Sequence, residues 1–232
     1  MKEREFDHFD HFANDYRDIH NTTLKISGAE SDYFSFHKIE IINSENQNKS
    51  IKFLDFGCGD GNSAKHCNQL MPQSNYFGID VSEKSIEVAN TKSSNTNNFT
   101  HFDGYNIPYE NDFFDVVFAA NVFHHIHFEL HLNLFKEIYR VLKKGGKFYL
   151  FEHNPWNPIT RHIVNTCPFD DDAVLLNPIY SKKTFKKLNF ESVKINFILF
   201  FPRNKVFQPF LSVEKKLKKI PFGGQYYAVS TK

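Results

Sequence analysis

From residue 51 onward, short apolar runs alternate with longer stretches in which apolar positions recur every three or four residues. Ile51–Phe56 is a brief apolar run that breaks into glycines, as a buried strand does. Residues 62–71 suit a helix, Tyr76–Asp80 predicts a second strand, and Ser82 is placed to cap a helix running to about Ser93. Phe99–Asp103 and Phe114–Ala120 read as third and fourth strands, the latter with the continuous apolar character of a strand covered on both faces. Leu134, Ile138, Val141 and Leu142 then mark one face of a helix. Lys143 and Lys144 favour its negative end, and Gly145-Gly146 is predicted to stop it. Lys147–Glu152 predicts a fifth strand.

The flanks differ. The first forty residues predict helix, with Phe6, Phe9, Ala13 and Tyr16 on one face, and the polar residues 43–50 predict a loop. Beyond the fifth strand the pattern predicts a helix at about Ser181–Leu188, a strand over Glu191–Phe200, a short basic helix over Val213–Lys219 and a last strand over Gln225–Thr231. Strands alternating with helices give an α/β fold, an open and mostly parallel sheet with helices on both faces. Two late strands without a full helical crossover between them are expected to pair antiparallel. No internal repeat is visible, and 1–232 reads as one domain.

Composition narrows the partners. A net charge of +1 offers no broad basic surface for nucleic acid or anionic lipid, and no run approaches the roughly 18 apolar residues of a membrane span. Met1-Lys2-Glu3-Arg4-Glu5 lacks the apolar run of a signal peptide, and three scattered cysteines make no disulfide framework. The expectation is a soluble, reduced, cytoplasmic protein. The 27 Phe are first a core-packing resource and second a source for an apolar pocket.

The chemistry starts at Asp55-Phe56-Gly57-Cys58-Gly59-Asp60-Gly61, glycines that directly follow a strand and precede a helix. A dinucleotide pyrophosphate needs G-x-G-x-x-G, but the sixth position here is Asn62, and Asp55 would repel phosphate. A cationic amine would welcome it. S-adenosylmethionine carries an ammonium and a sulfonium and no phosphate, so the loop suits that methyl donor. Asp80, at the end of the second strand, can accept both ribose hydroxyls, and Asp103, at the end of the third, can accept from an adenine amino group.

Taken with Gly78-Ile79-Asp80-Val81-Ser82, Asp103 and Pro108, Phe114-Asp115-Val116-Val117 and Tyr139-Arg140-Val141-Leu142-Lys143-Lys144-Gly145-Gly146, the chain resembles the class I S-adenosylmethionine-dependent methyltransferases. Within them it is similar to the small-molecule enzymes of the ubiquinone and menaquinone type. The resemblance implies a Rossmann-like seven-stranded sheet with the last strand antiparallel. It implies that Asp55, Gly57, Cys58 and Gly59 line the methionine moiety, that Asp80 takes the ribose, and that Val81 packs on adenine. It places Asp103 and Gly104 at the polar edge of adenine and Asn121 near the sulfonium. Lys144 stands where the family often has Pro, which touches only a turn. The domain then divides into an N-terminal helical lid (1–42), a donor-binding core (50–152), and substrate-side loops with C-terminal strands (153–232).

Methyl transfer from a sulfonium is an in-line displacement that positioning and desolvation largely accelerate. If the acceptor must lose a proton, His124 is the candidate general base, just past the fourth strand. Tyr16, His125, Glu152, His153 and Asn154 are the candidate substrate-side residues. No metal is expected: His127 and His131 are four apart, but Glu129 between them does not make H-E-x-x-H, and no third ligand is evident. Asp170–Asp172 reads as a solvated loop or helix start.

The expected product is S-adenosylhomocysteine, the expected partner a small-molecule acceptor, with no nucleic acid and no membrane span. A methyltransferase acting on RNA or protein, encouraged only by Lys215–Lys219, and a non-catalytic donor-binding module stay open; a nicotinamide oxidoreductase is disfavoured by the loop spacing and Asp55.

Overall fold

The computed structural model describes residues 31–46, 50–93, 97–167, 170–202 and 207–232. Its strands are β1 (Lys52–Phe56), β2 (Asn75–Asp80), β3 (Asn98–His101), β4 (Phe114–Ala120), β5 (Leu142–His153), β6 (Glu191–Ile198) and β7 (Gln225–Thr231). They form one sheet in the order β3-β2-β1-β4-β5-β7-β6. The first five run parallel, and β7 lies antiparallel to both β5 and β6. This is the Rossmann-like, seven-stranded arrangement expected, with the last strand reversed.

The helices are α1 (Ser31–Glu45), α2 (Asn62–Leu70), α3 (Glu83–Lys92), α4 (Phe128–Val141), α5 (Pro158–Thr166), α6 (Pro178–Lys187) and the single turn α7 (Glu214–Leu217). The period-2 alternation of the central strands feeds two cores, one on each face of the sheet. Leu54, Val117, Phe148 and Leu150 pack with Leu134, Phe135 and Ile138 of α4 and Phe185 of α6. Phe53, Val116, Phe118, Tyr149 and Phe151 point the other way, onto Ile39 and Ile42 of α1 and Ala64 and Cys67 of α2. Much of the phenylalanine is therefore structural; Phe53, Phe56, Phe114, Phe118, Phe123, Phe135, Phe148, Phe151 and Phe185 are all fully buried.

Several boundaries differ from the sequence expectation. α4 ends at Val141, not after Lys144, because Leu142 already pairs with Phe114 on β4. Lys143 Nζ then donates to Asp115 Oδ1 at 2.7 Å, and Gly145, at φ 80°, lies in the irregular stretch of β5 rather than at the helix end. α1 continues through 43–45, which the polar composition had suggested as loop, and Glu45 is held there by the Tyr149 hydroxyl at 2.8 Å. β3 stops at His101, two residues before Asp103, and β6 at Ile198. α6 starts early, at Pro178, where the Asn177 side chain accepts from Ile179 N. The basic helix shrinks to α7, preceded by a 3-10 stretch over Gln208–Val213.

Of the predicted lid, residues 1–30, with Tyr16, lie outside the described residues; 31–42 belongs to α1 and is anchored in the core by Ile39 and Ile42. No helix among the described residues is long and apolar enough to cross a membrane.

Candidate functional site

Parallel strands deliver their carboxyl ends to one edge of the sheet, where open α/β sheets bind ligands. β1 delivers the glycine loop there. Gly57, Gly59 and Gly61 all take positive φ, 76°, 52° and 76°, which only glycine adopts without strain. A Cβ on Gly57 would sit 2.4 Å from Val122 Cγ2, so this glycine also lets the loop close onto the segment after β4. A Cβ on Gly59 would meet nothing within 4 Å, which leaves that backbone open to a ligand.

Four amides of the loop are already engaged. Gly57 N and Cys58 N both donate to Ile79 O at 2.8 and 3.0 Å, Gly61 N donates to Cys58 O at 3.0 Å, and Gly59 N donates to Asp80 Oδ2 at 2.8 Å. A pyrophosphate cradle needs such N–H groups turned toward the ligand. These four face the protein.

Asp80 is fixed as well, since its Oδ1 accepts from Ser82 N at 2.9 Å. Burial raises its pKa, and the amides of Ser82 and Gly59 pull it back. One bond per oxygen leaves lone pairs for further donors. Beneath the loop lies Asp55, at 2 % exposure. Its Oδ2 accepts a short 2.5 Å bond from the Tyr76 hydroxyl. Burial pushes its pKa up to about 7, against the hydrogen bonds of Tyr76 and Ser63 and the charge of Lys38. Lys38, on α1, is itself buried; desolvation lowers its pKa to about 8 while Glu152 and Asp55 hold it up. Neither Lys38 nor Tyr76 stood out in the sequence, because nothing in a helical lysine or a strand tyrosine signals a buried charge beside the loop.

Val81 is half-buried against the first core. Asp103 is exposed and makes a local turn, with Oδ1 accepting from Tyr105 N at 2.8 Å and Asn106 N at 2.6 Å and Oδ2 from Asn106 Nδ2 at 2.9 Å. Those bonds hold its carboxyl below the usual carboxylate range. Gly104 follows, buried, at φ 82°. Asn121 follows β4 at φ 56°, its amide bonded to Phe151 O at 2.9 Å, and its buried Oδ1 has no partner among the described residues. An unspent acceptor beside an open loop fits a donor-bearing, cationic ligand. The residues present thus suit a sulfonium amino acid joined to a nucleoside, and they do not suit a dinucleotide.

Past Asn121 a 3-10 turn, Phe123–His125, builds the second half of the site. His124 is buried and its Nδ1 lies 2.6 Å from Glu152 Oε2; the other Glu152 oxygen accepts from Phe123 N at 3.0 Å. His124 Nε2 and His125 Nε2 each lie 3.5 Å from Asp170 Oδ1, and His125 Nδ1 lies 3.0 Å from Asp172 Oδ1. Burial works against charge on His124, but Glu152 and Asp170 outweigh it and push its pKa to about 9. Asp170 falls to about 2: burial opposes this, and the three histidines around it, 124, 125 and 153, prevail.

This arrangement alters the sequence expectations on the acceptor side. His124 has carboxylates at both ring nitrogens, so it is not a free base. Glu152 is fully buried and orients His124 instead of facing an acceptor. Asn154 is also buried and fully used, donating to Pro221 O and Gly223 O at 3.0 and 2.7 Å and accepting from Trp156 N at 3.1 Å; it pins a loop and has nothing left for a substrate. His153 is half-buried, its ring 5.2 Å from that of His124. Asp170, expected in solvent, is drawn in by the histidines, whereas Asp172 stays exposed beside His125, as expected. His131 is a core residue, its Nε2 against Phe123 O and Ile126 O and its Nδ1 against the Tyr180 hydroxyl, so it forms no metal pair with His127. Cys58, Cys67 and Cys167 are all buried, and none forms a disulfide among the described residues.

Comparison with known proteins agrees. A family model described as a methyltransferase domain matches residues 54–150. Sterol 24-C-methyltransferase of Debaryomyces hansenii is 29% identical over 147 residues, 61% of this chain and 36% of that protein. Demethylmenaquinone methyltransferase of Staphylococcus epidermidis is 28% identical over 137 residues, 56% of this chain and 56% of that one. The chain therefore spans between about a third and a little over half of the curated relatives it matches. A solved methyltransferase of Thermotoga maritima, described as a possible histamine N-methyltransferase, shares the fold with a TM-score of 0.70 at 16% identity, covering 98% of this chain and 99% of that one. Residues 54–150 thus match a methyltransferase domain, within a chain that shares the fold of solved S-adenosylmethionine-dependent methyltransferases.

Proposed function

We propose that this chain transfers a methyl group from S-adenosylmethionine to a small-molecule acceptor in the cytoplasm. The observation that carries the reading is the glycine loop. Four of its amides are spent on Ile79, Cys58 and Asp80, its backbone is bare at Gly59, and a buried carboxyl lies below it. That combination repels phosphate and accepts a cation. When bound, the donor supplies a methyl on a positively charged sulfur with a neutral leaving group.

The chain's own residues then position and desolvate. Asp80, held by two amides, keeps lone pairs for ribose hydroxyls. Val81 offers apolar surface to adenine, and Asp103 with Gly104 borders its polar edge. Gly57, Cys58 and Gly59 give the methionine moiety bare backbone, with the Asp55 field beneath. Asn121 Oδ1 is the acceptor nearest the transfer point. On the far side His124, His125 and Asp170 meet the acceptor, with His153 beside them. His124 orients the acceptor rather than taking its proton, since both of its ring nitrogens face carboxylates. The names of the relatives, a sterol and a demethylmenaquinone methyltransferase, support a small acceptor over RNA or protein.

Isothermal titration tests the donor. S-adenosylmethionine is expected to bind and NAD to give no heat; the opposite pattern overturns the reading. Release of S-adenosylhomocysteine across a panel of small hydroxyl, amine and quinol acceptors, with a short RNA alongside, tests the acceptor class. Turnover with the RNA alone would reassign it.

A further inference from the structure

His125 and Asp172 are 47 residues apart in sequence, yet the 3-10 turn and the 170–172 loop bring them into contact. Both neighbouring imidazoles are oriented by the same device. The His124 Nδ1–H donates to Glu152 at 2.6 Å, and the His125 Nδ1–H donates to Asp172 at 3.0 Å, because an ionised carboxylate can only accept. Both Nε2 atoms are then left facing a single oxygen, Asp170 Oδ1, at 3.5 Å each. Two imidazole lone pairs and a carboxylate converging on one point repel unless positive charge lies between them. A proton on His124 supplies part of it, in keeping with that residue's raised pKa, but each contact is 3.5 Å and a good N–H···O bond spans about 2.7–3.2 Å.

A metal ion supplies it well. Two ligands 3.5 Å apart, each about 2.1 Å from a common centre, subtend about 113°, close to a tetrahedral angle. All three ligand atoms lie within 4.8 Å of one another. A carboxylate on the far nitrogen of each histidine is also the usual outer support of a metal-bound imidazole, fixing tautomer and ring direction. It occurs here twice. His124 is buried and rigid, whereas His125 and Asp170 are partly open, so an ion has a way in.

We propose that His124 Nε2, His125 Nε2 and Asp170 Oδ1 bind one divalent transition-metal ion, with Glu152 and Asp172 as positioning residues. Two imidazoles and one carboxylate suit Zn²⁺, Co²⁺ or Fe²⁺. Two of the ligands sit on the 3-10 turn that follows Asn121, and three protein ligands leave coordination positions open. They would take an acceptor carrying a hydroxyl or an anionic oxygen, holding that oxygen and lowering its pKa. This link to the acceptor rests on the methyltransferase reading; the ion site does not. The sequence predicts no metal, and of the pair it offers, His127 and His131, the second is spent on backbone carbonyls.

The test is titration of chelator-treated full-length chain with Co²⁺, read by visible d–d absorption, and with Zn²⁺, read by calorimetry. One equivalent is expected. Asp170→Asn and His125→Ala should weaken binding by about 100-fold or more, Asp172→Asn by roughly 10–100-fold, and His127→Ala not at all. Circular dichroism confirms that each variant folds; the three altered cluster residues are partly exposed, so the test does not depend on replacing buried His124. No stoichiometric uptake of either ion, or wild-type affinity in Asp170→Asn, overturns the site. The same samples are titrated with S-adenosylmethionine in the absence of metal. Donor binding without ion uptake overturns the ion site alone, and ion uptake without donor binding overturns the methyltransferase reading alone.

Discussion

Replacing Asp55 by asparagine keeps the side chain's shape and an oxygen for the Tyr76 hydroxyl, and removes only the charge. Burial raises the Asp55 pKa from 3.8 to about 7. A folded-state value above the unfolded one means that the folded chain holds this proton more tightly. Its contribution to stability is complete below about pH 4, falls as pH rises toward 7, and levels off beyond. At about 1.36 kcal/mol per tenfold change in proton affinity, the ceiling on that loss is on the order of 4 kcal/mol. Lys38 returns part of it, because it loses one of its two carboxylate neighbours in the variant. Asp55→Asn is therefore expected to be more stable than the natural chain by about 1–3 kcal/mol near pH 8, and the gain should fade toward pH 4. Urea unfolding at several pH values without ligand measures it. The same variant should bind S-adenosylmethionine at least about tenfold more weakly, the equivalent of about 1.4 kcal/mol of lost attraction for the cation. A variant less stable than the natural chain near pH 8, or a gain that does not grow with pH, would refute the assignment of Asp55 as a strained charge kept for the ligand.

Three further outcomes are expected. Asp80→Ala removes the acceptor of both Gly59 N and Ser82 N and should weaken donor binding about 100-fold or more while speeding amide exchange at Gly59; unchanged affinity would remove Asp80 from the site. Gly57→Ala forces a Cβ to within 2.4 Å of Val122 at a φ of 76° and should cost about 2–4 kcal/mol in thermal or urea unfolding, partly restored by Val122→Ala in the same chain; no rescue would show that the backbone angle alone decides. Asn154→Ala strips two donors from the 221–223 loop and should cost about 2–3 kcal/mol with donor affinity intact, whereas a loss of turnover with no loss of stability would return Asn154 to the acceptor side.

The placement of the residues proposed for the donor was legible because they are nearly continuous in sequence. Strand, glycine loop and helix, then strand and Asp80, then Asp103 follow one another, and parallel strands carry all of them to one edge. The acceptor half was not, because its contacts join distant segments. Nothing local shows that Glu152 serves His124, or that an aspartate loop beginning at residue 170 folds back onto a histidine turn. Asn154 shows the opposite failure: a polar residue after a strand looks like a site residue until the glycine turn near 223 claims its amide. The end of α4 was obscured in the same way. Lys143 suits a helix terminus by charge, but Asp115 on β4 offers it a direct partner.

The position of β7 has a consequence for how the chain reaches this fold. Gln225–Thr231 wedges between β5 and β6, so the edge of β5 that faces away from β4 stays open until a segment some 70 residues later arrives. Until then the exposed ladder belongs to Phe148, Leu150 and Phe151, an apolar edge suited to pairing with another chain. During synthesis the donor-binding half emerges first and waits with that edge uncovered. Aggregation is then set by how quickly Tyr226, Ala228 and Tyr227 dock, and substitutions that slow this closure should lower yield before they lower the stability of the finished protein.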